Sequence, residues 1–291
     1  MPVYSNSRIG SFENCPLQYR YRYIDRIKRD VQGIEALLGK TVHTVLETLY
    51  SDRDRARSAG AGEYTALFRD LWDQSQTGNV KIVRKEMSAD DYRAIGERCV
   101  ETYYNRNHPF AGDVLGCEVE FEIPLDAGDR YRVRGFIDRV DRVSPGVLEI
   151  HDYKTGALPR FNALKKDRQL SLYEIAVRER WKDTREVRQV WHYLAHDKRF
   201  EEQRDRDHLT KTRVETIRAI QNIEATTDFP ARRSPLCSWC DYIDICPEWA
   251  VEREIDARAR EREESAVPPP RGASIDPRSG QYLLFGTPDD R

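Results

Sequence analysis

The 291-residue chain has no long hydrophobic run, and nothing in it approaches the ~18 to 20 consecutive apolar residues of a membrane-spanning helix. Its first residues do not form a positively charged segment leading into an apolar one, so a cytoplasmic protein is expected. Net charge is also small: 48 Lys and Arg against 50 Asp and Glu leave -2, so any attraction to a polyanion must come from a local basic patch. Cysteine is sparse. Six residues, three of them clustered, argue against a disulfide framework and for metal ligation in a reducing compartment. With 39% hydrophobic and 34% charged residues, a chain of this length can bury a substantial core as one elaborated domain or two smaller ones.

What is present centres on residues 133–156, VRGFIDRVDRVSPGVLEIHDYKTG. Two runs of strand character flank Ser144-Pro145-Gly146, which predicts an antiparallel hairpin. Residues two apart in a strand share a face, so Asp152 and Lys154 point the same way, and Asp138 on the partner strand brings a second carboxylate to the same end. Two acids and a lysine at a sheet edge form either a surface ion pair on a polar face or a site for Mg²⁺ or Mn²⁺. A hard cation there would polarise a phosphoryl oxygen.

Residues 11–30 alternate aromatic and basic side chains: Tyr19, Arg20, Tyr21, Arg22, Tyr23, then Arg26, Lys28 and Arg29. This reads as an amphipathic helix with rings inward, leaving Arg20 and Arg22 as candidate DNA phosphate contacts. From 37 to 50, Leu38, Val42, Val45, Leu46 and Leu49 recur at helical spacing, which puts His43 and Glu47 on one face. Residues 51–112 read as two or three inserted helices in a position to cover a site entrance, with Cys99 a buried apolar residue on one of them. Over 117–125, Cys117, Val119, Phe121, Ile123 and Leu125 alternate with Glu118, Glu120 and Glu122, the pattern of a half-buried strand with solvated glutamates. Lys165, Lys166 and Arg168 lead into a helix that carries Gln169 and Tyr173 one turn apart; 187–195 reads as another strand and 209–226 as an amphipathic helix. The order predicts an α/β fold with helices packed on a mixed sheet.

Gly135-Phe136-Ile137-Asp138-Arg139-Val140-Asp141 followed by Asp152-Tyr153-Lys154-Thr155-Gly156 resembles the second and third motifs of the RecB-like nucleases of the PD-(D/E)xK superfamily. Ser11-Phe12 through Cys15-Pro16, with Tyr19 to Tyr23, is similar to that family's opening segment. Residues 39–47 resemble its GxxxHxxLE helix, and Gln169 with Tyr173 its QxxxY motif. Cys237, Cys240 and Cys246 resemble the cysteine cluster of its iron-sulfur branch, so the likeness runs in order from residue 11 to 247.

The resemblance implies a restriction-endonuclease-like α/β core, a mixed central sheet flanked by helices, over a nuclease domain at 1–249. Within it, 51–112 is a helical insertion and 228–249 a cysteine segment tied to the N-terminal end. His43, Asp138, Asp152 and the Tyr153 carbonyl would hold Mg²⁺ or Mn²⁺, with Lys154 catalytic beside Asp138 and Asp152, and Gln169 and Tyr173 positioning a DNA strand. It also makes Glu120 the candidate third carboxylate. Cys15 would complete a four-thiolate site with Cys237, Cys240 and Cys246, fitting a 4Fe-4S cluster or a structural Zn²⁺. The implied activity is a DNA exonuclease on single-stranded or frayed ends in repair or recombination, with a helicase as candidate partner. A CRISPR spacer-acquisition nuclease and a catalytically silent DNA-end-binding subunit are the alternatives.

Beyond the cysteines, a charged helix is expected over 250–266 and a flexible Pro-, Gly-, Ser- and Arg-rich linker over 267–280, before a tail at 281–291. Gln281-Tyr282-Leu283-Leu284-Phe285 resembles the QxxLF peptide of bacterial sliding-clamp partners. Gln281, Leu284 and Phe285 would then anchor in a pocket on the clamp, the alternative being that they fold back onto the nuclease domain.

Overall fold

The computed structural model describes residues 2–75, 79–160, 162–265, 273–275 and 282–284. From the N-terminus, β1 (Val3–Tyr4) is followed by α1 (Asn6–Asn14), α2 (Pro16–Tyr19), a π-helical turn (Arg20–Ile24), β2 (Val31–Gly33) and α3 (Ile34–Ser51). Next come α4 (Arg53–Ser58), α5 (Ala61–Ser75), β3 (Asn79–Lys81) and α6 (Ala89–Asn107). The centre of the chain supplies β4 (Asp113–Pro124), β5 (Arg132–Ser144), β6 (Val147–Lys154), α7 (Arg168–Arg180), β7 (Glu186–Tyr193), β8 (Lys198–Gln203) and α8 (Arg206–Ala225). The chain divides into two units, Met1–Tyr242 and Ile243–Arg291.

In the first unit the sheet order is β1-β5-β6-β7-β8, with β4 on the other edge of β5. The hairpin expected around Ser144-Pro145-Gly146 is β5 and β6. Gly146 turns it with φ +76°, a conformation that a side chain disfavours. β6 and β7 run parallel because α7 crosses between them. Strand β8 and the short strands β1, β2 and β3 were not foreseen; their runs are too short or too charged to show an alternating pattern.

Three buried clusters hold these layers together. One joins α3, α5 and α6 to the Tyr153 side of the sheet and includes Leu46, Phe68, Trp72 and Tyr103. A second packs α7 on the opposite face, through Leu170, Tyr173, Ile150 and Trp191. The third binds α1, α7 and α8 around Ile9, Leu172 and Ile220. The inserted helices are therefore a structural layer packed on α3. Cys99 is buried among them, as expected, and half-buried Cys117 packs against the same cluster.

In the second unit the expected charged helix is α9 (Ala250–Ser265), and β9 (Ala273–Ile275) pairs antiparallel with β10 (Tyr282–Leu284). Part of the stretch read as a linker is thus a strand paired with part of the tail, a backbone pairing that a Pro- and Gly-rich composition does not signal. Gln281 and Phe285 lie outside the described residues, as does the rest of 267–280. Among the described residues no helix is long and apolar enough to cross a membrane.

Candidate active site

Strand β5 changes partners along one edge. It pairs with β1 at Arg132 and Val133 and with β6 only from Arg139 onward, so among the described residues no strand pairs with 134–138 on that side. Asp138 is the last residue of this gap. Its Oδ2 accepts the Tyr153 backbone N–H at 2.7 Å, which takes the place of the next ladder bond.

Helix α3 delivers His43. The helix buries Leu38, Val42, Val45, Leu46 and Leu49, each 3% exposed or less. At ~1.5 to 3 kcal/mol per buried side chain, this stripe fixes the rotation of the helix and so the direction of the half-exposed His43. The ring donates from Nε2 to the Tyr153 carbonyl at 2.8 Å, and Nδ1 lies 3.6 Å from Asp138 Oδ1.

The third member of this group is Glu118, between the ladder pairs Cys117 with Arg139 and Val119 with Ile137, and therefore opposite Asp138. Its φ of +45° is rare for a non-glycine residue and breaks the run of the strand where the carboxylate turns toward the site. Gly116, two residues before it, packs close: a Cβ there would meet Val119 Cγ2 at 2.8 Å, so the valine or the strand would have to shift. Donor atoms of His43, Glu118 and Asp138 lie within 4.8 Å of one another. An imidazole nitrogen and two carboxylate oxygens suit a hard or borderline divalent cation. Beside them a cavity of about 370 Å³ is lined by Gly39, Lys40, Thr44 and Glu47 as well as His43 and Glu118.

Asp152 and Lys154 share a face of β6, as expected. Asp152 is 1% exposed, and Lys154 Nζ donates to its Oδ1 at 2.9 Å. Nζ also stands 2.7 Å from Oδ2, so the ammonium lies against both oxygens of this buried carboxylate. The ammonium donates again to Gln169 Oε1 at 3.2 Å, and Gln169 Nε2 donates to the Tyr173 hydroxyl at 2.6 Å. Asp167 starts the helix that carries Gln169. Its Oδ1 caps the amides of Gln169 and Leu170, and its Oδ2 accepts from Trp191 Nε1 at 3.0 Å.

Burial pushes Asp138 up to about 6 and Asp152 up to about 7 from an ordinary 3.8; the Tyr153 amide opposes the shift at Asp138, and Lys154 opposes it at both. Glu118 is raised by burial and by Asp138. Burial disfavours the Lys154 ammonium, but Asp152 beside it raises the net value. A cluster of carboxyls held above their usual range gains most from a cation.

The structure thus gathers His43, Asp138, Asp152, Tyr153, Lys154 and Gln169. Tyr173 is only 6% exposed and reaches the site through Gln169. Exposed Arg20 and Arg22 already have partners, Asp25 at 3.2 Å and Asp241 at 2.5 Å. The glutamate that lies opposite Asp138 is Glu118, whereas Glu120, the candidate from the sequence, pairs with Phe136, two residues further along. The glutamates are therefore not all solvated. Glu118 and Asp138 are equidistant in sequence from Gly128, at the β4–β5 turn, but the centre of that turn is set by the strand pairing and not by the sequence around it.

The N-terminal segment and residues 230–242 do meet. Leu17 N–H donates to Pro230 O at 3.3 Å, Arg232 N–H to Cys15 Sγ at 3.4 Å, and Gln18 Nε2 to Cys240 Sγ at 3.8 Å. The sulfurs of Cys15, Cys237 and Cys240 are nonetheless not all within 4.8 Å of one another. Tetrahedral zinc thiolates, with Zn–S ~2.3 Å, need sulfurs only ~3.8 Å apart. Cys246 belongs to the second unit.

The chain is 25% identical to the Gene 69 protein of Mycobacterium phage D29 over 281 residues, 85% of this chain and 97% of that protein. A crystal structure of a protein from Eubacterium rectale, provisionally described as an exonuclease, aligns with 82% of this chain and 87% of its own at 12% identity and a TM-score of 0.46. The family model of the PD-(D/E)XK nuclease superfamily matches residues 3–247, from the first strand to the cysteine segment, and the chain belongs to that superfamily.

Proposed function

We propose that this protein is a divalent-metal-dependent deoxyribonuclease that hydrolyses DNA phosphodiester bonds. The observation that carries the reading is the convergence of His43, Glu118 and Asp138 within 4.8 Å, at the point where β5 and β6 part. His43, Asp138, Asp152 and the Tyr153 carbonyl, joined by Glu118, would hold Mg²⁺ or Mn²⁺. Such an ion, when bound, polarises a phosphoryl oxygen and lowers the pKa of a bound water.

The chain's own residues do the rest. Lys154 presents a cation held between Asp152 and Gln169, aimed by both, which offsets negative charge developing on a phosphoryl oxygen. In the reaction a water oxygen bonds to phosphorus, the bond from phosphorus to one sugar oxygen breaks, and that oxygen takes a proton. Action on single-stranded or frayed ends, in repair or recombination, fits a site whose polar groups face a phosphate and carry little base information.

The remaining parts of this reading rest on resemblance. Cys15, Cys237, Cys240 and Cys246 hold a 4Fe-4S cluster with a structural role, supported by the contacts of Cys15 and Cys240 with each other's segments. Gln281, Leu284 and Phe285 engage a sliding clamp, a helicase is a candidate partner, and the compartment is the cytoplasm.

The test is incubation of end-labelled single- and double-stranded DNA with purified protein and Mn²⁺ or Mg²⁺, beside Asp152→Ala and Lys154→Ala. Wild-type protein should cleave and both variants should lose turnover while staying folded. Undiminished cleavage by either variant overturns the assignment.

A further inference from the structure

Beyond Arg139 the hydrogen-bonded ladder between β5 and β6 ends, yet the site requires Asp138 on one strand and Asp152 on the other to keep a set separation. The Asp138 carboxylate on the Tyr153 N–H is one link between the strands at that point, and a second one holds the Tyr153 side chain. On the face away from Asp138 and Asp152 lies a largely buried polar connection. Arg139, 4% exposed, donates from Nη1 to the Tyr153 hydroxyl at 2.5 Å and to the Tyr103 hydroxyl at 2.8 Å, and from Nε to Asp141 Oδ1 at 2.9 Å. Its guanidinium lies 3.9 Å over the Tyr50 ring, so the planar fork is clamped from above as well as at its edges.

Tyr153 links this connection to the site. Its side chain is held by Arg139, its N–H binds Asp138, and its carbonyl receives His43. Arg139 is the residue next to Asp138, and Tyr153 lies between Asp152 and Lys154. A shift of the Tyr153 ring would therefore move the amide and carbonyl that face Asp138 and His43, and would move both neighbours on β6. We infer that Arg139 is a positioning residue of the nuclease site: through the Tyr153 hydroxyl it bolts β5 to β6 where their ladder stops, and so sets the spacing of the metal-binding groups. The inference rests on the proposed metal-dependent reading of that site.

The experiment compares wild type, Tyr153→Phe, Arg139→Lys and Tyr104→Phe. Tyr104 is the control: its buried hydroxyl donates to Ala56 O at 2.8 Å in the same helical layer and makes no hydrogen bond to Arg139 or Tyr153, so removing that hydroxyl tests the loss of a buried hydrogen bond in this layer. Mn²⁺ binding is read from the electron paramagnetic resonance of the free ion, and kcat and KM are measured on labelled DNA. Tyr153→Phe and Arg139→Lys should weaken Mn²⁺ binding and kcat by about 10- to 100-fold, as loss of an outer support of a metal site does, with KM for DNA little changed. Tyr104→Phe should bind Mn²⁺ as wild type does. Wild-type Mn²⁺ binding by Tyr153→Phe, or an equal loss in Tyr104→Phe, overturns the positioning role while leaving the nuclease reading intact. Wild-type protein that neither binds Mn²⁺ nor cleaves DNA overturns that reading, and this inference with it.

Discussion

Glu118 stands opposite Asp138 across the β4–β5 ladder, and both carboxylates reach the His43 ring. One comes from a strand whose regular geometry it interrupts, the other from a strand edge left open by its neighbours. Neither position follows from local periodicity.

If Glu118 completes the cation site, Glu118→Gln should raise the Mn²⁺ midpoint for cleavage by about 10-fold or more, while Glu120→Gln leaves it unchanged. Metal titrations of the two variants check this. Equal midpoints would return Glu118 to the role of a solvated strand residue.

Stability should respond to Mn²⁺ in a pH-dependent way. Asp138 and Asp152 have folded-state pKa values raised from 3.8 to about 6 and about 7, so their neutral forms favour the fold most fully below pH 3.8, and that contribution is lost as pH rises through the raised values. A divalent cation binds the ionised forms and competes with protons. Thermal unfolding should therefore show a small gain from Mn²⁺ near pH 5 and a larger one near pH 8, about 2.7 kcal/mol at 100 times the dissociation constant. Equal gains at the two pH values would contradict a site built on these carboxyls.

Gln169→Ala releases one of the two partners that aim Lys154, and kcat should fall about 100-fold with KM for DNA little changed. Tyr173→Phe removes only the hydroxyl behind Gln169. It should cost about 1 kcal/mol of stability and less activity than Gln169→Ala. A larger loss from Tyr173→Phe would mean that Tyr173 contacts DNA itself.

Protein purified without oxygen should be brown, with about four irons per chain. Cys15→Ser or Cys240→Ser should remove the colour, whereas Cys99→Ala and Cys117→Ala should keep it, since both lie against the apolar cluster of α3 and α6. Stoichiometric zinc in a colourless, active preparation would replace the cluster with a structural metal.

Much of this arrangement was legible before any coordinates. The apolar stripe of α3 aims His43, the period-2 faces of β5 and β6 put Asp152 with Lys154, and the turn at Gly146 joins those strands; each depends on neighbours a few residues apart. The N-terminal rings were also read correctly at Tyr19, which is 2% exposed. Less was legible where a residue's partner lies far along the chain. Arg22, a candidate phosphate contact in the sequence, meets Asp241.

The sequence by itself determined the elements, the faces they bury and the residue types that can bind a cation, because these follow from side-chain spacing on a helix or strand. Only the tertiary structure decided which glutamate joins the site, where β5 and β6 separate, and that Arg139 and Tyr153 close the gap from behind. Strand register, the switch of β5 from β1 to β6, and a buried hydrogen-bond network are relations between distant segments. Their energies arise when those segments pack, and no local pattern records them.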